Sequence, residues 1–246
     1  MAAPGVYVYA FVRAGHPLPA DVRGVGDTKA PVRLLPCGEL AAVIGPVPET
    51  LRARRRDLMA HQRLLSDLVP GGPVLPMRFG AIAPGETAVL DGAKARSAEY
   101  LAALESVEGR LEMNLKVMPA EDSLSDLVRE DPRVRQLREE VRSRPGYEVN
   151  VRLGEAVVAG MRRRAAHAAE QISAALAAVA AESQEGPDVE GCVRNVSFLV
   201  ARGDLSRFNS CVDRLSAEYR QKAALRVTGP LPCYSFVPTE NVPAGV

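Results

Sequence analysis

Apolar and polar residues alternate in several short stretches of this chain and recur at steps of three and four in the stretches between, a pattern that predicts strands separated by helices. Val6 to Val12, VYVYAFV, is rich in β-branched and aromatic residues and predicts a strand. After a loop rich in Gly and Pro, RLLP and LAAVIG flank Cys37-Gly38-Glu39 and predict a hairpin. Thr50 is placed as the N-cap of a helix to about Leu68, whose Leu51, Leu58, Leu64, Leu65 and Leu68 fall at mostly helical spacings. A strand over PVLPMRFGAI, Pro73 to Ile82, comes next, then a helix from about Glu86 to Val107 that Gly109 ends. In an extended PVLPMRFGAI, Leu75, Met77, Phe79 and Ala81 share a core face, and Arg78 projects from the other between Pro76 and Gly80. The expectation is that Arg78 crosses the sheet to a carboxylate or to helix-end carbonyls, as a structural residue before a recognition residue.

LEMNLKV, Leu111 to Val117, alternates as a strand with Leu111, Met113, Leu115 and Val117 inward. Asp131 before Pro132 marks a helix start, with Val134, Leu137 and Val141 on its buried side. A longer helix follows from a cap at Asn150 to about Ala181, striped by Leu153, Val157, Met161, Ala165, Ala168, Ile172, Leu176 and Val179. At roughly 30 residues it would extend about 45 Å. Either it is continuous and offers part of its face to the other domain or a partner, or it is bent or broken near Gly160. VRNVSFLVAR predicts a strand, Asp204 caps a helix with Leu205, Phe208, Val212, Leu215 and Tyr219 inward, and ALRVTGPLPCYSFV predicts a strand to about Thr228, a Gly-Pro turn and an extended end at Val237. The expected fold is α+β in two domains, residues 1–109 and 110–246. Each is a small mixed or antiparallel sheet covered by helices, and the second is ferredoxin-like with a long helical insertion.

Composition narrows the function classes. The chain has 246 residues, 47% hydrophobic and 25% charged, with 31 Lys+Arg against 30 Asp+Glu, so no general charge draws it to nucleic acid or an anionic membrane. The opening residues lack a cationic n-region before a long apolar core, no uncharged run approaches roughly 20 residues, and a cytoplasmic protein is expected. Cys37, Cys192, Cys211 and Cys233 form no CxxC pair and are expected to be reduced and mostly buried. His16, His61 and His167 have no second His or Cys at metal-ligand spacing, and His61 and His167 are expected on helix surfaces or between domains. Glu121 and Asp122 are adjacent and point apart on a helix, so they suit capping or the surface better than paired acid–base work. No nucleophile elbow, Walker sequence, Rossmann fingerprint or zinc-protease motif is present, so an enzyme is not expected, nor is any metal or nucleotide cofactor. The strongest basic cluster is RARRR, with Arg52, Arg54, Arg55 and Arg56; Asp57 follows it and no aromatic is interleaved, so a solvated helix face or an acidic protein partner fits better than nucleic acid.

Five segments in order carry a family resemblance: VYVYAFV, PVLPMRFGAI with Pro73, Pro76, Arg78, Phe79 and Gly80, LEMNLKV, NVSFLV, and TGPLPCYSFV with Gly229, Pro230, Pro232, Tyr234 and Phe236. On these the chain resembles, over nearly its full length, the gas vesicle protein F/L family of accessory proteins. It departs at Cys233, where the family often has a second proline, and at Met113, where a tryptophan or another bulky residue is usual. The resemblance implies a non-enzymatic assembly accessory and minor structural protein of the gas vesicle. Its implied partners are the hydrophobic principal shell protein, whose aggregation it would limit during nucleation, and other accessory proteins, with neither nucleic acid nor lipid membrane involved. Arg52, Arg54, Arg55, Arg56, Arg78, Phe79, Gly80, Tyr234 and Phe236 are the candidate structural or partner-contact residues. The alternatives are a stand-alone regulatory or ligand-binding α+β module and an enzyme whose site is assembled from residues distant in sequence.

Overall fold

The computed structural model describes residues 5–26, 31–120 and 124–237. Their contacts divide the chain into two compact units, one from residues up to Glu112 joined by the segment from Pro230, the other from Met113 to Gly229. This departs from the expected 1–109 and 110–246, because the last segment returns to the first unit. The expected pair of carboxylates, Glu121 and Asp122, lies outside the described residues.

The first unit is an antiparallel sheet in the order β2-β3-β1-β4, built from β1 (Val6–Arg13), β2 (Arg33–Cys37), β3 (Leu40–Pro46) and β4 (Val74–Pro76), with β5 (Ile82–Ala83) also pairing with β1. Gly38 and Glu39 turn the β2–β3 hairpin as the sequence predicts. β1 is buried from Val6 to Val12 on both faces, which explains why its apolar run is continuous rather than alternating. Helix α1 (Arg55–Leu68) packs Leu64, Leu65 and Leu68 onto one face. It starts four residues later than a Thr50 cap predicts, with Arg54 at the N-cap and no side-chain bond there. The expected helix from Glu86 to Val107 is two helices, α2 (Glu86–Ala95) and α3 (Ser97–Ser106). Arg96 leaves helical geometry between them, its guanidinium lying 4.9 Å over the Tyr100 ring and bonded twice to Glu99.

In the second unit the sheet order is β7-β8-β6-β9, from β6 (Arg110–Pro119), β7 (Glu182–Glu185), β8 (Arg194–Ala201) and β9 (Ala223–Leu231). Helices α4 (Leu124–Glu130), α5 (Pro132–Ser143) and α6 (Tyr147–Ala177) lie between β6 and β7, and α7 (Leu205–Tyr219) lies between β8 and β9. Strand–helix–strand–strand–helix–strand in this sheet order is the ferredoxin-like arrangement, with α4 and α5 as extra helices. Leu111, Met113, Leu115 and Val117 are buried as the alternation of β6 predicts. Asp131 Oδ1 accepts from the backbone N–H of Arg133 and Val134, the cap that Asp-Pro signals. β9 runs straight through Gly229 and Pro230 where a turn is expected, and a short 3-10 turn follows at Tyr234–Phe236.

Helix α6 is continuous for 31 residues. Gly160 does not break it. A Cβ at Gly160 would come within 2.8 Å of Leu127 Cδ1, so the glycine is there to let α4 approach. The C-terminal part of α6 buries Ala165, Ala168, Ala169, Ile172 and Leu176 with Phe198 and Phe208, and the N-terminal part packs Leu153, Ala156, Val157 and Met161 on α4 and α5.

Candidate functional site

PVLPMRFGAI is not one strand. The ladder to β1 is interrupted between two bonds, Met77 N–H to the Tyr9 carbonyl and Val8 N–H to the Ala81 carbonyl, both 2.9 Å. Between them Met77 to Ala81 bulge into a turn closed by Ala81 N–H on the Arg78 carbonyl at 3.1 Å. Gly80 has φ +86°, a left-handed value that a side chain at this position would strain, and this is what the Phe-Gly pair supplies.

A buried polar chain holds the turn. His61, 2% exposed, has Nε2 3.0 Å from the Met77 carbonyl, which can only accept, so Nε2 carries the proton. Nδ1 is then free to accept the Tyr7 hydroxyl at 3.2 Å, and that oxygen in turn accepts Gly80 N–H at 2.8 Å. The rings of Tyr7, Tyr9 and Phe79 surround the imidazole, with centroids 5.7 to 5.9 Å from it. Burial lowers the His61 pKa, against the smaller opposing effect of its bond to Met77, and burial raises those of Tyr7 and Tyr9. His61, expected on a helix surface or between domains, is instead the centre of this core.

Arg78 is carried outward on the turn. It is exposed, and its guanidinium has no hydrogen bond or ion pair among the described residues, so the expected fastening across the sheet is not formed. The turn removes Arg78 from the strand face that an extended PVLPMRFGAI would give it. Tyr234 is the residue that fastens. It packs into the Tyr7 and Tyr9 cluster, burial raises its pKa, and next to it Ser235 donates both N–H and Oγ–H to the buried Glu112 carboxylate at 2.8 Å. Phe236 is half-buried in the same 3-10 turn.

The basic cluster lies at the start of α1, with Arg52 and Arg54 before the helix and Arg55 and Arg56 in its first turn. All four are exposed; Arg56 lies 3.4 Å from Asp57, whereas Arg52, Arg54 and Arg55 make no ion pair among the described residues. On the same helix Leu58 and Met59 are exposed, 42% and 57%. Met59, Ala60 and Leu64 form an apolar floor with Pro19, Val22 and Pro70, and Arg23, Arg56 and Arg63 rim it together with Asp21 and Asp67. The open groove measures about 900 Å³.

A family profile described as gas vesicle synthesis protein GvpL/GvpF matches residues 5–238. The chain belongs to the GvpL/GvpF family. Gas vesicle protein F of Streptomyces sp. (strain CB03234) is 41% identical over 235 residues, covering 94% of this chain and 98% of that protein. Gas vesicle protein L of the same strain is 33% identical over 140 residues, about half of each. The fold is also that of GvpF crystal structures from Anabaena sp. PCC7120, at TM-score 0.77 and 20% identity over 97% of this chain and all of that one, and from Microcystis aeruginosa, at 0.72 and 19% over 95% and 99%.

As a GvpL/GvpF protein the chain has an accessory, non-enzymatic role in gas vesicles. Among the described residues no group of three or more His, Cys, Asp or Glu is placed to hold a metal ion, and no helix is long and apolar enough to cross a membrane. None of the four cysteines is in a disulfide, and only Cys233 is buried, against the expectation that most would be. The structure thus brings Phe79, Gly80 and Tyr234 together around Tyr7 and leaves the arginines on the surface. Sequence reasoning missed Tyr7, His61 and Glu112 as a set. The signal for them was two tyrosines two apart on a strand, which share a face, and a glutamate placed in an otherwise apolar strand.

Proposed function

We propose that this protein binds the hydrophobic principal shell protein of the gas vesicle and limits its aggregation while a shell nucleates, remaining available to other accessory proteins. The observation that supports this is the α1 groove: an apolar floor around Met59 with Arg63 on its rim and Arg52, Arg54 and Arg55 near the start of the same helix, four guanidinium groups that make no ion pair among the described residues. An apolar segment of the shell protein seats on Met59 and the prolines, and the arginines orient its approach, which makes the association rate fall with ionic strength. Arg78, presented on its glycine turn, and the Tyr234 segment that supports this turn extend the same unit's contact surface.

Co-expression with the principal shell protein, followed by size-exclusion chromatography and light scattering, tests this. The wild-type chain co-elutes with shell protein and lowers its scattering, and Met59→Asp with Arg63→Glu, folded by circular dichroism, does neither. A wild-type chain that leaves both elution and scattering unchanged ends the proposal.

A further inference from the structure

The apolar stripe of α6 does not stop where its own sheet stops. Ala165, Ile172 and Leu176 are covered by the second unit's sheet and α7. Toward the N-terminus the same side of the helix continues as Tyr147, Val151, Gly154 and Val158, at steps of four, three and four, the spacing of a coiled-coil seam. These side chains are in solvent: Tyr147 is 85% exposed, Val151 42% and Val158 58%, and a Cβ on Gly154 would meet nothing within 4 Å.

The charges of this half of the helix fall into two sets. Arg152 is 3.3 Å from Glu140, Arg163 2.7 Å from Asp131 and Arg164 3.3 Å from Glu130, so arginines toward α4 and α5 are satisfied within the chain. Glu148, Glu155 and Arg162, which flank the exposed stripe, have no ion pair among the described residues. One side of the helix is therefore satisfied within the chain, and the other holds two carboxylates and one guanidinium that make no ion pair among the described residues.

We infer that the exposed half of α6 pairs antiparallel with α6 of a second copy of this chain. In the register that sets Val158 over Gly154 of the second copy, Val151 meets the part of Met161 that α4 and α5 leave uncovered, and Glu148 lies across from Arg162. Two-fold symmetry repeats every contact. Of the two registers one layer away, one sets Glu148 against Glu155 of the second copy and is disfavoured by like charge, and the other would seat the seam on Ala165 and Ala168, which the second unit's own core buries. The favoured register carries one cost: each Glu155 faces its symmetry mate near the axis. A seam of about four turns lies at the small end of specific interfaces, under about 1,200 Å² in total, so the pairing is reversible and weak. It is independent of the α1 groove and of shell-protein binding.

Sedimentation velocity over a concentration series tests it on the full chain alone. The wild type shows a monomer–dimer equilibrium with a dissociation constant on the order of 10 µM, and Val158→Asp is monomeric. Arg162→Glu weakens the dimer roughly tenfold, and adding Glu148→Arg to it restores the wild-type constant. Glu155→Gln tightens the dimer, an effect that a parallel pair would not give, since there the two Glu155 residues lie on opposite sides of the seam. Glu155→Cys forms an interchain disulfide on mild oxidation. A wild type that remains monomeric to about 1 mM overturns the inference. A dimer that Val158→Asp leaves intact, or that Glu155→Gln does not tighten, overturns the surface or the register.

Discussion

Tyr7 and Arg78 show how differently a buried hydroxyl and an exposed guanidinium weigh on the same turn. Removing the Tyr7 hydroxyl leaves His61 Nδ1 without its partner in the buried core and Gly80 N–H without its partner on the turn. Tyr7→Phe is therefore expected to cost about 2 kcal/mol in urea unfolding. Arg78→Ala removes a side chain without a partner among the described residues and is expected to change stability by less than about 0.5 kcal/mol in the same experiment. His61 adds a pH dependence. Burial lowers its folded pKa below the unfolded value of about 6.5, so between those two values the unfolded chain binds the extra proton. Its contribution is complete above about pH 6.5 and is lost as pH falls toward the folded pKa. A series of melting curves from about pH 7.5 to 5 should show this decline, and His61→Gln, which keeps a donor for Met77 but does not titrate, should flatten it.

Among the elements, those whose pattern answers to one cause were legible in the sequence, and those with two competing causes were not. β1, the β2–β3 hairpin, β6 and the Asp-Pro start of α5 follow directly from burial period, turn residues and capping. β7, Glu-Ser-Gln-Glu, is exposed at all four residues and has no apolar period to read, so only its pairing with β8 reveals it. The Arg-Phe-Gly turn hid inside a run that alternates correctly for a strand, because Phe79 is packed inward by the turn as it would have been by the pleat. The candidate site was visible as residue types, arginines and a conspicuous Phe-Gly, while the side chains that organise it lie far apart in sequence. Glycine makes the same point along α6. Gly160 and Gly154 are indistinguishable by propensity, yet a Cβ meets Leu127 at the first and open space at the second. Gly160→Val should cost about 1–3 kcal/mol through overpacking against α4, and Gly154→Ala should stabilise by about 0.5–1 kcal/mol as alanine replaces glycine in a helix interior. Thermal unfolding followed at 222 nm separates the two signs.

On the scale of the whole molecule, the first unit is closed by chain that is synthesised after the second, since Pro230 onward belongs with residues up to Glu112. The closing contacts are specific: Tyr234 packs into the Tyr7 cluster, Ser235 donates twice to Glu112, and Cys233 Sγ lies 3.9 Å from the Arg110 carbonyl. Residues up to Glu112 therefore lack part of their own core until the last segment arrives, and the α1 helix and the Arg-Phe-Gly turn depend on that arrival because they share the Tyr7 cluster. The second unit's own core is built from β6, α6, β8 and α7 around Phe198 and Phe208. Tyr234→Ala should consequently act on one unit only. Removing this ring opens space beside Tyr7 and is expected to lower the protection of β1 and β3 amides by about 3 kcal/mol in native-state hydrogen exchange. The amides of β8 should exchange as in the wild type, because their opening does not expose the site of the substitution. Equal loss of protection in β1 and β8 would mean that the two units unfold as one, and the accessory protein would then present its groove only when the whole chain is folded.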